Sequence, residues 1–285
     1  MGFKQLLAGQ LEGVLEDELL RILPKGYQKI GDIIILNLRE ELKPFEEEIG
    51  NAILDIFPKV KTICNKEGEI TGELREPQIK VIAGNKNTEV CHFENKVYFC
   101  FDISKVMFAK GNVAERGRLP KQVKMNEVII DMFVGIGYFS VPIAKIAKPK
   151  KIYAIDLNPN SIKYLKKTIE KNKLKNIEVM EGDSREIIEK LLEEGVKADR
   201  ILMGYLPPPI KFIASAMKII KKNGMIHYDD LIRVDNKDED ITKTLKKFNE
   251  EAKQAGFNNV ELVNAQRVKS YKPKIDHYVL DILVK

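Results

Sequence analysis

Short unbroken apolar runs alternate with amphipathic stretches through the second half of the chain. Glu127–Phe133 (EVIIDMF), Lys151–Leu157 (KIYAIDL), Ile177–Asp183 (IEVMEGD), Asp199–Leu206 (DRILMGYL) and Gly224–Asp230 (GMIHYDD) predict strands buried on both faces. Between them, Tyr138–Ala147, Asn160–Asn172, Ser184–Glu194 and Ile210–Lys222 read as helices, and Asp238–Ala255 as a long charged helix. Two more strands are predicted near Val260–Tyr271 and His277–Lys285. Only Lys272, Pro273 and Lys274 separate them, so they must run antiparallel. Strand–helix alternation predicts an α/β fold with a doubly wound, mainly parallel sheet, closed by an antiparallel C-terminal strand.

The first 120 residues do not alternate in this way. A helix near Val14–Leu23 stops at Pro24, Gly31–Leu38 reads as strand and Pro44–Phe57 as helix. Turns follow at NKEGE (65–69) and AGNKNT (83–88), then a strand at Lys96–Ile103. We read residues 1–120 as a smaller N-terminal α+β domain and 121–285 as the alternating domain, with the boundary near Pro120.

Composition narrows the class. The 285 residues are 44% apolar and 32% charged, which excludes a disordered chain. A net charge of +6 permits a polyanionic partner without demanding one. Three cysteines without a C-x-x-C argue against a disulfide framework and for a reduced compartment. Cys91-His92 lacks zinc-ligand spacing, and His227 and His277 are remote from it, so no metal is expected. Val128–Ala147 is the most membrane-like stretch, but Asp131, Pro142 and Lys145 interrupt it. Phe3–Leu15 lacks the clean apolar centre of a signal peptide. A cytoplasmic protein with no membrane partner, and a monomer, is the expectation.

Candidate chemistry gathers at the ends of the apolar runs. Gly135-Ile136-Gly137 follows the first, where a ligand is expected in an open α/β sheet. With Ser140 where a third glycine would stand, the pair reads equally as a tight turn. Asp156 ends the second run and could accept hydrogen bonds from two ribose hydroxyls, or serve as a loop or cap aspartate. Asp183 ends the third and could meet an adenine amino group with Ser184 beside it, or cap the next helix. Together the three ends point to a nucleoside site.

These segments carry a resemblance. DMFVGIGYFSVPIAK, AIDLNP and EGDSRE are similar to the S-adenosylmethionine motifs of class I methyltransferase-like enzymes. KVMFAKGNVAERGR (105–118), PQIKVIAG (77–84), HFEN (92–95) and VKSYKP with HYVLD near the C-terminus resemble, more narrowly, archaeal and eukaryotic enzymes that act on the guanosine 3′ to the tRNA anticodon. One family of this layout methylates guanosine N1. The other is the wybutosine-synthesizing family, which moves a 3-amino-3-carboxypropyl group from S-adenosylmethionine to a tricyclic modified guanosine. Gly111-Asn112 and Gly204-Tyr205-Leu206 resemble the second; the methylating family usually has phenylalanine-serine-proline-arginine-leucine at the first place and Asn-Leu-Pro at the other. Ala109 departs from both, since serine is usual there.

The resemblance implies an S-adenosylmethionine-dependent transferase in wybutosine-derivative biosynthesis, with tRNA as partner and no metal. It implies cofactor contacts at Ala109, Arg116, Phe133, Gly135, Asp156, Asp183, Ser184 and Gly204, and leaves the catalytic residues open. Arg116 is the candidate for gripping the methionine carboxylate, which would aim the transferred carbon at the base; its other reading is a salt bridge with an acid such as Glu115. Gly204 would make room for a bulky base, and Tyr205 or Pro207–Pro209 would stack on it, unless Tyr205 is simply core. Lysines at 163–175, at 145–151 and at 269–274 suit phosphate contacts or a solvated face. Three other readings compete: a guanosine N1-methyltransferase, opposed by Gly204; an NAD-dependent oxidoreductase, opposed by the missing third glycine; and an RNA-binding module with a decayed pocket, opposed by Asp156, Asp183 and Gly135.

Overall fold

The long apolar runs form strands and the amphipathic stretches form helices in the computed structural model, which describes residues 2–68, 72 and 77–285. Two compact units divide the chain. One comprises residues 1–93 and 98–108; the other comprises Glu94–Val97 and Ala109–Lys285. The division after Phe108 falls earlier than the Pro120 expected from sequence, because Ala109–Pro120 carries short helices whose buried side chains belong to the second unit.

In the first unit the elements are α1 (Phe3–Leu11), α2 (Asp17–Ile22), β1 (Gln28–Ile30), β2 (Ile33–Leu36), α3 (Glu46–Ile56), β3 (Thr62–Lys66) and β4 (Ile79–Gly84). The sheet order is β1-β2-β3-β4, with only β2 and β3 parallel. Leu7 and Leu11 of α1, four residues apart, share a core with Ile34, Ile49, Ile53 and Ile63. The helix expected over Val14–Leu23 begins only at Asp17. Gly13 takes φ +78° and turns the chain between α1 and α2, a backbone conformation that suits glycine. Glu69, the last residue of the expected NKEGE turn, lies outside the described residues.

A hairpin of β5 (Glu89–Glu94) and β6 (Val97–Asp102) follows. Cys91 and Cys100 are disulfide-bonded with Cα atoms 4.0 Å apart. This corrects the expectation from the odd cysteine count: two of the three face each other across a hairpin, a pairing that no C-x-x-C spacing announces. Cys64 is free and buried, and burial pushes its thiol up to about 12.

The second unit contains α4 (Val113–Arg118), β7 (Val128–Asp131), α5 (Ser140–Ile146), β8 (Lys151–Asp156), α6 (Pro159–Asn172), β9 (Ile177–Glu181), α7 (Ser184–Glu193), β10 (Ala198–Met203), α8 (Ile213–Ile219), β11 (Ile220–Arg233), α9 (Lys237–Gln254), β12 (Val260–Lys272) and β13 (Ile275–Val284). The strand order is β12-β13-β11-β10-β7-β8-β9. β11, β10, β7, β8 and β9 are parallel; β13 runs antiparallel to both β11 and β12, as the short turn requires. Helix α8 ends before the expected Lys222 because Ile220 is already extended and pairs with Ala198. Asn158 starts α6 by accepting the N–H groups of Asn160 and Ser161, with Pro159 in the first turn. Ile130, Ile155, Ile188, Ile201, Met217, Tyr228, Phe248 and Leu280 share the main core.

The chain steps from β7 outward to β8 and β9, then returns to place β10 on the other side of β7. Strand order therefore reverses between β7 and β10, where ligands of open α/β sheets bind at the carboxyl ends.

Candidate active site

Gly135, just past β7, has φ +55°, and its N–H donates to Asp156 Oδ2 at 2.7 Å. A Cβ built on Gly135 would lie 2.6 Å from Tyr138 Cε2. Asp156 Oδ1 accepts the N–H of Asn158 at 2.9 Å. The carboxylate that closes β8 thus clamps the glycine loop. It uses two of its roughly four lone-pair positions, leaving others for ligand hydroxyls. Burial raises its pKa. Beneath the loop, fully buried Asp131 accepts Ser140 Oγ–H at 2.6 Å; burial pushes its carboxyl up to about 7.

Asp183 caps α7. Its Oδ1 accepts the N–H of Arg185 at 2.8 Å, and the Arg185 guanidinium bonds the same carboxylate, with Nη2 at 2.5 Å from Oδ2. That bonding holds its pKa below the usual carboxylate range. The cap reading is therefore the arrangement present, with Ser184 buried in the first turn of α7. The Arg185 guanidinium lies 4.8 Å from the ring centre of Phe212, which meets the Phe133 ring edge-on at 4.8 Å. Phe133 is also 5.2 Å from Tyr205. Phe133, Tyr205 and Phe212 form an aromatic wall beside the ends of β7 and β10, and Tyr205 is only half-buried.

Gly204 follows β10 and lies against Phe139. A Cβ there would lie 2.7 Å from Phe139 Cε2, so the ring of Phe139 fills the space. Phe139 itself is buried.

Arg116, the candidate for the methionine carboxylate, has protein partners. It is fully buried, and its partner is not Glu115. Its Nε and Nη2 form a fork with Glu94 at 2.6 and 3.1 Å, and Nη1 donates to the carbonyl oxygen of Ala109 at 3.0 Å. Engaged in this way, the guanidinium holds the Ala109 turn.

Glu115 pairs instead with Arg118, at 2.7 and 2.5 Å, and Arg118 reaches on to Asp281. His227 Nδ1 is 2.6 Å from Asp281, its Nε2 faces Arg200, and Arg200 is closed by Glu127. Burial lowers the pKa of His227, and the adjacent Arg200 adds to this. Although burial alone would raise Asp281, hydrogen bonds from His227 and Arg118 hold it well below the usual carboxylate range. Sequence reasoning missed this network, whose partners lie up to 163 residues apart. The one signal available was the recurrence of charged residues within otherwise apolar strands.

The basic face is built on α6. Lys163, Lys166, Lys167 and Lys171 are exposed, while Ile162, Tyr164 and Leu165 are buried. Lys163 and Lys167 each lie over the Tyr164 ring, at 5.3 and 5.2 Å. Among the described residues, no group of three or more His, Cys, Asp or Glu could hold a metal, and no helix is long and apolar enough to cross a membrane. A carboxylate-clamped glycine loop, a capped Asp183 and an aromatic wall at a strand-order reversal can hold a nucleoside by its hydroxyls and its ring.

Comparison with known proteins agrees with this geometry. The family described as the TRM5/TYW2 methyltransferase domain matches residues 90–263, and the TYW2 N-terminal domain matches residues 7–88. A Pyrococcus horikoshii tRNA(Phe) (4-demethylwyosine(37)-C(7)) aminocarboxypropyltransferase is 35% identical over 99% of this chain and 98% of its own length. The tRNA (guanine(37)-N(1))-methyltransferase Trm5b of Pyrococcus abyssi is 36% identical over 94% of this chain and 77% of its own. The crystal structure of P. horikoshii TYW2 in complex with MeSAdo superposes with a TM-score of 0.83 at 32% identity, covering 99% of both chains. The chain belongs to the TRM5/TYW2 family.

Proposed function

We propose that this protein is an S-adenosylmethionine-dependent tRNA transferase of wybutosine-derivative biosynthesis, moving the 3-amino-3-carboxypropyl group to a tricyclic modified guanosine 3′ to the anticodon. The observation that carries the reading is end-to-end likeness to an aminocarboxypropyltransferase, 35% identical over 99% of this chain and 98% of that one. The site fits the donor. Asp156 keeps lone pairs for ribose hydroxyls while clamping Gly135, and Phe133 stands with Tyr205 and Phe212 just past β7. Bound there, S-adenosylmethionine supplies an alkyl group activated by a sulfonium, whose departure leaves a neutral thioether.

The chain's own residues orient and enclose. Arg116, held by Glu94, fixes the Ala109 turn, and Gly204 with Phe139 presents no side-chain amide at the end of β10. Exposed lysines on α6 suit a tRNA phosphate backbone. We include in this reading a monomer that works in the cytoplasm, where tRNA substrates are met.

A second reading, guanosine N1-methylation, is favoured by the 36% identity to Trm5b. Against it stand Gly204 and the match of residues 7–88 to the TYW2 N-terminal domain. The deciding experiment incubates the purified protein with tRNA bearing the tricyclic guanine and with S-adenosylmethionine labelled separately in the methyl and in the carboxypropyl carbons. Carboxypropyl label in the tRNA supports the proposal; methyl label alone supports the second reading.

A further inference from the structure

A cavity of about 520 Å³ opens where α5 and α6 end and the chain turns into β8 and β9. The glycine loop, Asp156 and Asp183 stand at the carboxyl ends of parallel strands. These helix-to-strand turns therefore lie at the opposite end of the sheet from the nucleoside site. Asn176 Nδ2 donates to the carbonyl oxygen of Pro149 at 3.2 Å, and the N–H of Ile152 donates to the carbonyl oxygen of Asn176 at 2.8 Å. The two turns that wall the cavity are thereby fastened to each other.

Among the described residues, Lys145, Lys148, Lys173 and Lys175 line this cavity, and no carboxylate or aromatic ring does. Lys145 sits in the last turn of α5, where a cation complements the helix dipole, and its Nζ donates to the carbonyl oxygen of Asn172 at 3.2 Å. The other three lie beyond the helices. Lys148 and Lys173 take φ +53° and +56°, a left-handed conformation at a helix end that glycine or asparagine ordinarily fills. Lysine at both places puts side-chain charge ahead of backbone ease. Other lysines at this end of the sheet are neutralised: Lys151 pairs with Glu178 and Lys221 with Asp199, each at 2.7 Å. Among the described residues, none of the four cavity lysines has a carboxylate within ion-pair distance. Walls of one sign around a concave space concentrate an anion there.

The lining also decides the class of anion. Its apolar part is Ala144, Pro149 and Leu174, which offer no ring face for a base to stack on. Recognition therefore falls on charge. Each ammonium is a compact charge with three donors, which suits phosphate oxygens and lacks the planar fork of a guanidinium. Four of them around one cavity match several neighbouring phosphates better than one.

We propose that this cavity is a second ligand site, held by Lys145, Lys148, Lys173 and Lys175, for a run of neighbouring phosphate groups, either a free oligophosphate or a stretch of RNA backbone. The site is separate from the nucleoside site and does not depend on which group the protein transfers.

Calorimetry with inorganic tripolyphosphate tests this. Wild-type protein should bind it saturably. In the triple variant Lys148→Gln, Lys173→Gln and Lys175→Gln the Kd should rise at least tenfold; all three side chains are exposed, so the fold should persist. A control variant with Lys222→Gln, Lys246→Gln and Lys253→Gln loses the same charge from exposed positions elsewhere in the second unit, and its Kd should change less than twofold. Absence of saturable binding to wild type, or equal weakening in the two variants, overturns the site. Methylthioadenosine should bind equally well with and without tripolyphosphate; mutual exclusion would place the anion in the nucleoside site and overturn the proposal. Competition with oligouridylate then separates the sources. Displacement of tripolyphosphate upholds the site with RNA backbone as its ligand, and retention upholds it with a free oligophosphate.

Discussion

Arg116 and Glu94 form a two-pronged ion pair in which the guanidinium is wholly buried, with Nε–Oε1 at 2.6 Å and Nη2–Oε2 at 3.1 Å. Removing one partner strands the other charge in a low-dielectric setting, a loss of about 3–5 kcal/mol. Glu94→Ala should lower the unfolding free energy by that order in denaturant titration. Arg116→Lys should not restore it, because an ammonium cannot form the fork. Arg116→Ala should weaken S-adenosylmethionine and methylthioadenosine binding alike. A selective loss of S-adenosylmethionine binding would instead return Arg116 to the methionine carboxylate.

Asp156 holds the glycine loop through Gly135 N–H, and the proposed site gives it the ribose hydroxyls as well. Asp156→Ala removes the acceptor for Gly135 N–H and the expected acceptors for ribose hydroxyls, each charge-assisted bond contributing about 1.5–3 kcal/mol. The affinity for S-adenosylmethionine should fall at least tenfold in a variant whose circular dichroism is unchanged. Unaltered affinity would remove Asp156 from the site.

Asp131 gives stability a pH dependence. Its folded-state pKa of about 7 stands above the ordinary 3.8, so the folded protein holds this proton more tightly than the unfolded chain does. The contribution is therefore complete below about pH 4 and is lost as pH rises through about 7. Asp131→Asn keeps an acceptor for Ser140 without the charge. Relative to wild type, it should gain stability between pH 4 and pH 8, by on the order of 4 kcal/mol at most. A constant difference across this range would contradict the raised carboxyl.

Gly204 and Phe139 act as a pair. In Gly204→Ala the new methyl group must displace the ring, an overpacking cost of about 1–3 kcal/mol. Phe139→Leu should recover part of that loss in the double variant, giving a non-zero coupling in a double-mutant cycle. Additive effects would mean that the ring and the glycine are independent.

Much of the second unit was legible because buried parallel strands read as unbroken apolar runs and their ends mark the ligand side. Asp156 and Gly135 are singled out in this way, and the structure joins them by a hydrogen bond. What escaped depends on residues distant in sequence. Arg116 finds Glu94 rather than its neighbour Glu115, and Arg118 finds Asp281 across 163 positions. Gly204 reads as empty space until Phe139, which points back from the glycine loop, is seen to fill it. The Cys91–Cys100 bond depends on a hairpin whose register no spacing rule states. Helix α1 escaped because Gln5, Gly9 and Gln10 dilute its apolar stripe.

The α6 lysines should supply affinity without base specificity. Replacing Lys166, Lys167 and Lys171 by glutamine should weaken tRNA binding and reduce the slope of log K against log salt by up to about one unit per lost phosphate contact. S-Adenosylmethionine affinity should not move. An unchanged salt slope would make this a solvated helix face.

The most direct test of the central claim is the identity of the small-molecule product released when the protein turns over tRNA bearing the tricyclic guanine. Transfer of the aminocarboxypropyl group leaves 5′-methylthioadenosine, and transfer of methyl leaves S-adenosylhomocysteine. Chromatography with mass detection should find methylthioadenosine in proportion to modified tRNA and to tRNA added. Stoichiometric S-adenosylhomocysteine in its place would contradict the assignment and make the chain a methyltransferase.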